Sequence, residues 1–243
     1  MINNYTRLID NLQYLKLFEI SEKLNSFDFK NDKDFIDQLL ELTDCEVDVK
    51  SKRAKRIMLK TACFPHQKRL DDFDFSFQED LDENKIKELA TLDFIDKKEN
   101  IVFLGNSGVG KTHLSTSIGI IAAENRMSTY FIKCHDLISN LRKAKLEHKL
   151  DEVIKKYNRY SLLIIDELGY LPIDAEDAKL FFQLVDKRYE TKSTIFTTNI
   201  SFNKWDTIFK DPIIASAIID RILHHCHVVS IIGSSYRTRN LIE

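Results

Sequence analysis

Gly105-Asn106-Ser107-Gly108-Val109-Gly110-Lys111-Thr112 holds three of the chain's six glycines within eight residues. Backbone freedom is therefore concentrated at one place in a glycine-poor chain. The stretch fits G-x-x-x-x-G-K-[ST], follows the apolar run Ile101-Val102-Phe103-Leu104 and precedes helix-compatible sequence from His113 to Asn125. Strand, glycine loop and helix together are the context in which this pattern binds phosphate. Glycines let successive N–H groups turn inward on an anion, and the helix N-terminus adds partial positive charge. The loop from Gly105 to His113 is thus expected to bind a nucleoside triphosphate. Lys111 would reach the β- and γ-phosphates, and the Thr112 hydroxyl would hold Mg²⁺.

Outward from the loop, apolar runs and helical patterns alternate. Strands are expected at 101–104, 129–133, 161–166, 194–198 and 228–231, with helices at 111–125, 136–158, 174–190 and within 211–225. Such alternation specifies an α/β fold with a parallel sheet and the ligand at the strands' C-terminal edge. Upstream, residues 1–45 read as two helices separated by a polar break at 25–32, a pair with little core of its own. A basic stretch spans Lys50–Lys60. Phe73-Asp74-Phe75-Ser76-Phe77 alternates strictly and is expected to lie extended along a groove. A further helix is expected from Asn84 to Ile95. The domain reading is a helical, partner-binding module over 1–60, a linker and leading helix over 61–100, and a nucleotide domain over 101–243.

Leu162-Leu163-Ile164-Ile165-Asp166-Glu167 is an apolar strand ending in two acids, the pattern of a central parallel strand. Beside a phosphate loop, Asp166 would hold Mg²⁺ through water and Glu167 would polarise a water for attack on the γ-phosphate. Thr194-Ile195-Phe196-Thr197-Thr198 leads to Asn199, whose amide could orient that water, although asparagine at a strand exit is also ordinary turn chemistry. Arg221, on a late helix, could stabilise charge in phosphoryl transfer or form a surface salt bridge. His224-His225-Cys226-His227 suggests a metal. Read as helical, four successive residues step by roughly 100° each and cannot converge on one ion.

Composition sets the remaining bounds. A hydrophobic fraction of 43% with 30% charged residues describes a soluble globular chain. A formal charge of −2 gives no global sign of nucleic-acid binding, so any such surface must be local. Four scattered cysteines without C-x-x-C spacing point to reduced thiols. No targeting leader or spanning segment is recognisable, so a cytoplasmic location without membrane contact is expected.

From about Lys60 onward the chain resembles the IstB-type helper ATPases of bacterial transposons, which belong with DnaC and DnaA to the AAA+ class. The carrying residues are Phe73–Phe77, Gly108–Leu114, Leu163–Pro172, Asp186–Glu190, Asp220–His225 and Ser235–Arg237. The resemblance implies a five-stranded AAA+ P-loop domain that uses ATP and Mg²⁺. It makes Lys111 and Thr112 Walker A, Asp166 and Glu167 Walker B, Asn199 sensor 1, and Arg221 a finger acting in trans in a homo-oligomer. The chain departs from its relatives at Asn106-Ser107, where they usually carry prolines. Few residues follow the last expected strand, too few for a helical lid, and a sensor-2 role for Arg237 stays open. The implied task is assembly on duplex DNA to help a transposase select or capture target DNA. Loading of a replicative helicase is the alternative. Relatives place the helices inserted after the second expected strand along DNA, which nominates Lys143, Lys145 and Lys149, with Lys50–Lys60 next. Asp166–Gly169 and Asn203–Asp206 also fit the D-x-x-G and N-K-x-D patterns of GTPase switches. Asn203, however, lies past a turn and not directly at a strand end.

Overall fold

Leu8 and Leu12 lie one helical turn apart and are fully buried against Leu24, Ile36 and Leu40. They belong to the first of two compact units, Met1–Ile57 and Met58–Glu243, in a computed structural model that describes residues 3–26, 33–78 and 80–241. In the first unit α1 (Asn4–Leu15) and α2 (Phe18–Ser26) are separate helices. Lys16, at φ 64, ends α1, and the Leu17 N–H donates back to the Leu12 carbonyl at 2.8 Å. The expected single first helix is therefore two. α3 (Lys33–Thr61) runs straight through the basic stretch, because no glycine or proline interrupts it. Arg7 and Asn11 of α1 both bond Asp44 of α3 at 2.7 Å. Part of the polar break, residues 27–32, lies outside the described residues.

The second unit adds α4 (Glu83–Leu89), α5 (Asp93–Asp96), β1 (Asn100–Gly105), α6 (Lys111–Glu124), β2 (Thr129–Lys133), α7 (Cys134–Leu146) and α8 (Leu150–Asn158). It continues with β3 (Leu162–Leu168), α9 (Ala175–Arg188), β4 (Ser193–Thr198), α10 (Trp205–Phe209), α11 (Pro212–Leu223) and β5 (Cys226–Ile231). The sheet has the order β2-β3-β4-β1-β5, and every pairing is parallel. The fold is α/β, as its alternating sequence requires.

β3 explains why its sequence carries no polar alternation. Leu162 and Ile164 pack on one side with Leu114, Ile118 and Ile86, while Leu163 and Ile165 pack on the other with Leu137, Phe181 and Ile218. Successive side chains point to opposite faces, and helices cover both faces. α6 lies so close that a Cβ on Gly119 would come 2.5 Å from Ile164 Cδ1.

Several elements differ from expectation. The Phe73–Phe77 segment is not extended: a 3₁₀ turn at Leu70–Asp72 leads into it and a second one forms at Phe75–Phe77. The Asp72 carboxylate accepts from the Arg69 N–H at 2.7 Å, which curls the chain there. The 84–95 helix divides into α4 and α5 at Leu92 (φ 73), and the 136–158 helix divides into α7 and α8 at His148 (φ 56). α11 stops at Leu223, so His224-His225-Cys226-His227 is not helical and its last two residues begin β5.

Arg188, at the end of α9, is buried without a carboxylate partner. Its guanidinium donates to Thr194 Oγ1 and to the carbonyls of Tyr157, Tyr160 and Ser193 at 2.6–3.1 Å. Burial pushes its pKa down to about 9, and the four acceptors offset that cost. This pins α9 to α8 and to the start of β4.

Candidate active site

The C-terminal ends of β1, β3 and β4 deliver the chemistry. β1 ends at Gly105, and the loop enters α6 at Lys111 through Gly108 (φ 82) and Gly110 (φ 102). Side chains resist that left-handed backbone. Space also forbids them, since a Cβ at Gly108 would come 2.0 Å from Ser235 Oγ and one at Gly110 would come 2.5 Å from Phe73 Cε2. The linker thus packs one side of the loop and the C-terminal segment the other. The Tyr236 N–H donates to the Gly108 carbonyl at 3.0 Å, and Phe73 stacks edge-on against His113 at 5.3 Å.

Lys111 Nζ donates to the carbonyls of Gly105 at 2.8 Å and Asn106 at 2.6 Å. Its proton affinity is lowered chiefly by burial and further by the Arg237 charge, against the pull of Asp166 and Glu167.

Asp166 is 1% exposed. Its carboxylate accepts from Thr112 Oγ1 at 2.9 and 3.1 Å and from Thr197 Oγ1 at 2.5 Å. Burial raises its pKa above the usual value of 3.8, and the two hydroxyls hold it down in part. A penalised carboxylate and a hydroxyl at the mouth of a phosphate loop are hard oxygen donors that fit Mg²⁺.

Between Ile165 and Leu168 the β3–β4 register shifts, and Glu167 has φ 61. Such an irregularity re-aims a side chain at a strand end. Here it leaves Glu167 exposed beside buried Asp166. Glu167 Oε2 lies 3.0 Å from Lys133 Nζ at the end of β2, and the Glu167 N–H donates to Thr197 Oγ1 at 2.9 Å. Thr197 thus holds both acids in place. Neither Lys133 nor Thr197 was singled out from sequence. The only signals were a lysine closing an apolar strand and a threonine at a buried strand position. Asn199 follows β4 immediately. Thr198 pairs with Leu104, so Asn199 stands level with the start of the loop and is exposed there.

Arg221 is elsewhere. Asn100, the first residue of β1, donates its side-chain N–H to the Ile222 carbonyl at 3.1 Å. Arg221 therefore lies at the N-terminal edge of the sheet, about 17 Å of strand from the loop at roughly 3.3 Å per residue. Its Nε donates to Asp186 at 2.6 Å, and its guanidinium lies 4.6 Å from the Phe182 ring centre. Lys143, Lys145 and Lys149 are exposed on α7 and at the entry to α8. Lys145 pairs with Glu176 at 3.0 Å, and Lys143 has Glu147 at 3.9 Å. Of Asn203-Lys204-Trp205-Asp206, Trp205 is buried, its Nε1 donating to the Ile200 carbonyl at 3.1 Å, while Asn203, Lys204 and Asp206 are exposed.

The family described as IstB-like ATP binding protein matches residues 8–243. The chain belongs to that family. It is 54% identical over 243 residues to the insertion sequence IS232 putative ATP-binding protein of Bacillus thuringiensis subsp. berliner, covering 99% of this chain and 97% of the relative. It is 42% identical over 187 residues to the insertion sequence IS21 putative ATP-binding protein of Pseudomonas aeruginosa, covering 77% and 71%. The fold resembles the DnaC helicase loader (TM-score 0.57, 22% identity, 68% of this chain and 96% of that one). It also resembles DnaI (TM-score 0.58, 21% identity, 72% and 93%). The chain is thus an IstB-like ATP-binding protein with an AAA+ P-loop fold. Among the described residues no helix is long and apolar enough to cross a membrane.

Proposed function

We propose that this IstB-like protein hydrolyses ATP between adjacent subunits assembled on duplex DNA, and that the assembly serves a transposase in selecting or capturing target DNA. The observation that carries the hydrolytic part is the linkage of Thr112, Asp166, Thr197 and Glu167 in one hydrogen-bonded set beside the loop. Thr112 and Asp166 would hold Mg²⁺, which when bound neutralises charge on the phosphates. Lys111 exchanges its two loop carbonyls for phosphate oxygens. Glu167 takes the proton of the attacking water, and Asn199 fixes that water's orientation. Arg221 completes the site of the neighbouring subunit, because its place at the opposite sheet edge keeps it from its own loop.

The transposition context is supported by relatives named for insertion sequences, whereas the likeness to DnaC is one of fold. Lys143, Lys145 and Lys149 would meet DNA phosphates without regard to sequence, and binding would weaken steeply with salt. The helical unit would receive the transposase through apolar side chains exposed on it, among them Phe18, Leu42 and Val49. Glu167→Gln tests the reading because it keeps shape and removes the base. Turnover should fall about 10²–10⁴-fold while ATP affinity is retained, and ATP-dependent DNA complexes should persist. Normal turnover in this variant would remove Glu167 from the chemistry.

A further inference from the structure

His224-His225-Cys226-His227 does not stay together in the fold. Cys226 and His227 enter β5, and His227 Nε2 lies 2.8 Å from Glu99 Oε2. His224 and His225 remain in the turn after α11, where they meet Glu190 from the turn after α9. Glu190 Oε1 lies 3.7 Å from His225 Nε2 and 3.9 Å from His224 Nδ1, and the two imidazole centres are 4.0 Å apart. One ligand atom from each residue falls within 4.8 Å of the other two. Both carboxylate–imidazole separations exceed hydrogen-bond length, so the groups converge on a shared space without bonding one another across it. The Tyr189 hydroxyl, 2.6 Å from His224 Nδ1, fixes the rotation of that ring.

Two imidazoles and a carboxylate form the donor set of a zinc site that keeps a fourth position for water, with ligand distances of about 2.0–2.2 Å. Zinc would take His224 Nδ1 in place of the Tyr189 hydroxyl now bonded to it. We propose that Glu190, His224 and His225 bind one zinc ion. The ion ties the end of α9 to the turn between α11 and β5. These are the two elements that carry Asp186 and Arg221 one turn away, so the site would stiffen the mount of Arg221.

The test is calorimetric titration of zinc chloride into the metal-stripped, untagged full chain. The background carries Cys45→Ser and Cys63→Ser, because both thiols are exposed and could take zinc themselves. One ion should bind per chain, and His225→Ala and Glu190→Gln should each weaken binding about tenfold or more. All three ligands are exposed, so the substitutions spare the core, and unchanged melting curves without metal would verify that. Cobalt(II) gives a second readout, a visible tetrahedral absorption in the parent that both variants lose. No zinc uptake by the parent, or unchanged affinity in either variant, would overturn the assignment.

Discussion

At the C-terminal edge of the sheet, Lys111, Thr112, Asp166, Glu167 and Asn199 leave β1, β3 and β4 within reach of one phosphate loop. At the N-terminal edge, Arg221 rests on Phe182 and Asp186, with Arg188 and the Glu190–His224–His225 cluster nearby. The first edge gathers the loop lysine and the two acids around one loop. The second holds a cation with no phosphate of its own. In the proposed function these are two halves of one site, which copies stacked head to tail would join.

The comparison can be broken most forcefully at Arg221. Removing a finger that stabilises phosphoryl-transfer charge costs about 10³–10⁵-fold in turnover. Arg221→Ala should show a loss in that range under assembling conditions, with ATP affinity nearly unchanged. A loss under tenfold would make the Asp186–Arg221 pair an ordinary ion pair. Arg188, only a few residues from Asp186, should behave in the opposite way. Arg188→Met leaves four buried acceptors without a donor and should destabilise the fold by about 3–5 kcal/mol, read by denaturant unfolding. Activity per folded molecule should hold. Loss of activity without loss of stability would mean that Arg188 had been wrongly separated from the chemistry.

A finer contrast concerns Asp166. Burial raises its pKa in the fold, so between 3.8 and that raised value the folded chain binds more protons than the unfolded one. This group's contribution to stability therefore falls as pH rises through that window, and the penalty persists above it. Asp166→Asn removes the penalty. Without nucleotide or metal it should melt higher near neutral pH, by about 2–4 °C for roughly 1 kcal/mol in a chain of this size. That advantage should shrink toward pH 3.8, and Mg²⁺-dependent turnover should be lost. A variant that melts lower at pH 7 would contradict the account of this carboxylate as strained for metal binding.

The two edges also differ in how far sequence revealed them. The loop, β3 and the strand ends were legible because their signals are local: glycines at fixed spacing, a run apolar on both faces, acids directly after it. Strand boundaries at 129–133 match β2 residue for residue. The breaks at Lys16, Leu92 and His148 were not legible, because ordinary side chains adopt positive φ there and neither glycine nor proline announces it. The Phe73–Phe77 turns were misread because alternation of aromatics also suits side chains gathered on one side of tight turns. Thr197 and Lys133 become visible only once β4 and β2 are paired with β3. Glu190 meets His224 and His225 only because α11 stops short of the histidines.

The most direct measurement mixes two inactive proteins. Lys111→Ala cannot use its own nucleotide but still offers Arg221, whereas Arg221→Ala binds nucleotide but offers no finger. With ATP, Mg²⁺ and duplex DNA, and with co-assembly verified, one orientation of contact restores a complete site. Turnover of the mixture should exceed the sum of the two variants measured alone. Turnover that merely averages the two would place Arg221 within its own subunit's chemistry or outside catalysis altogether, and would contradict a site shared between subunits.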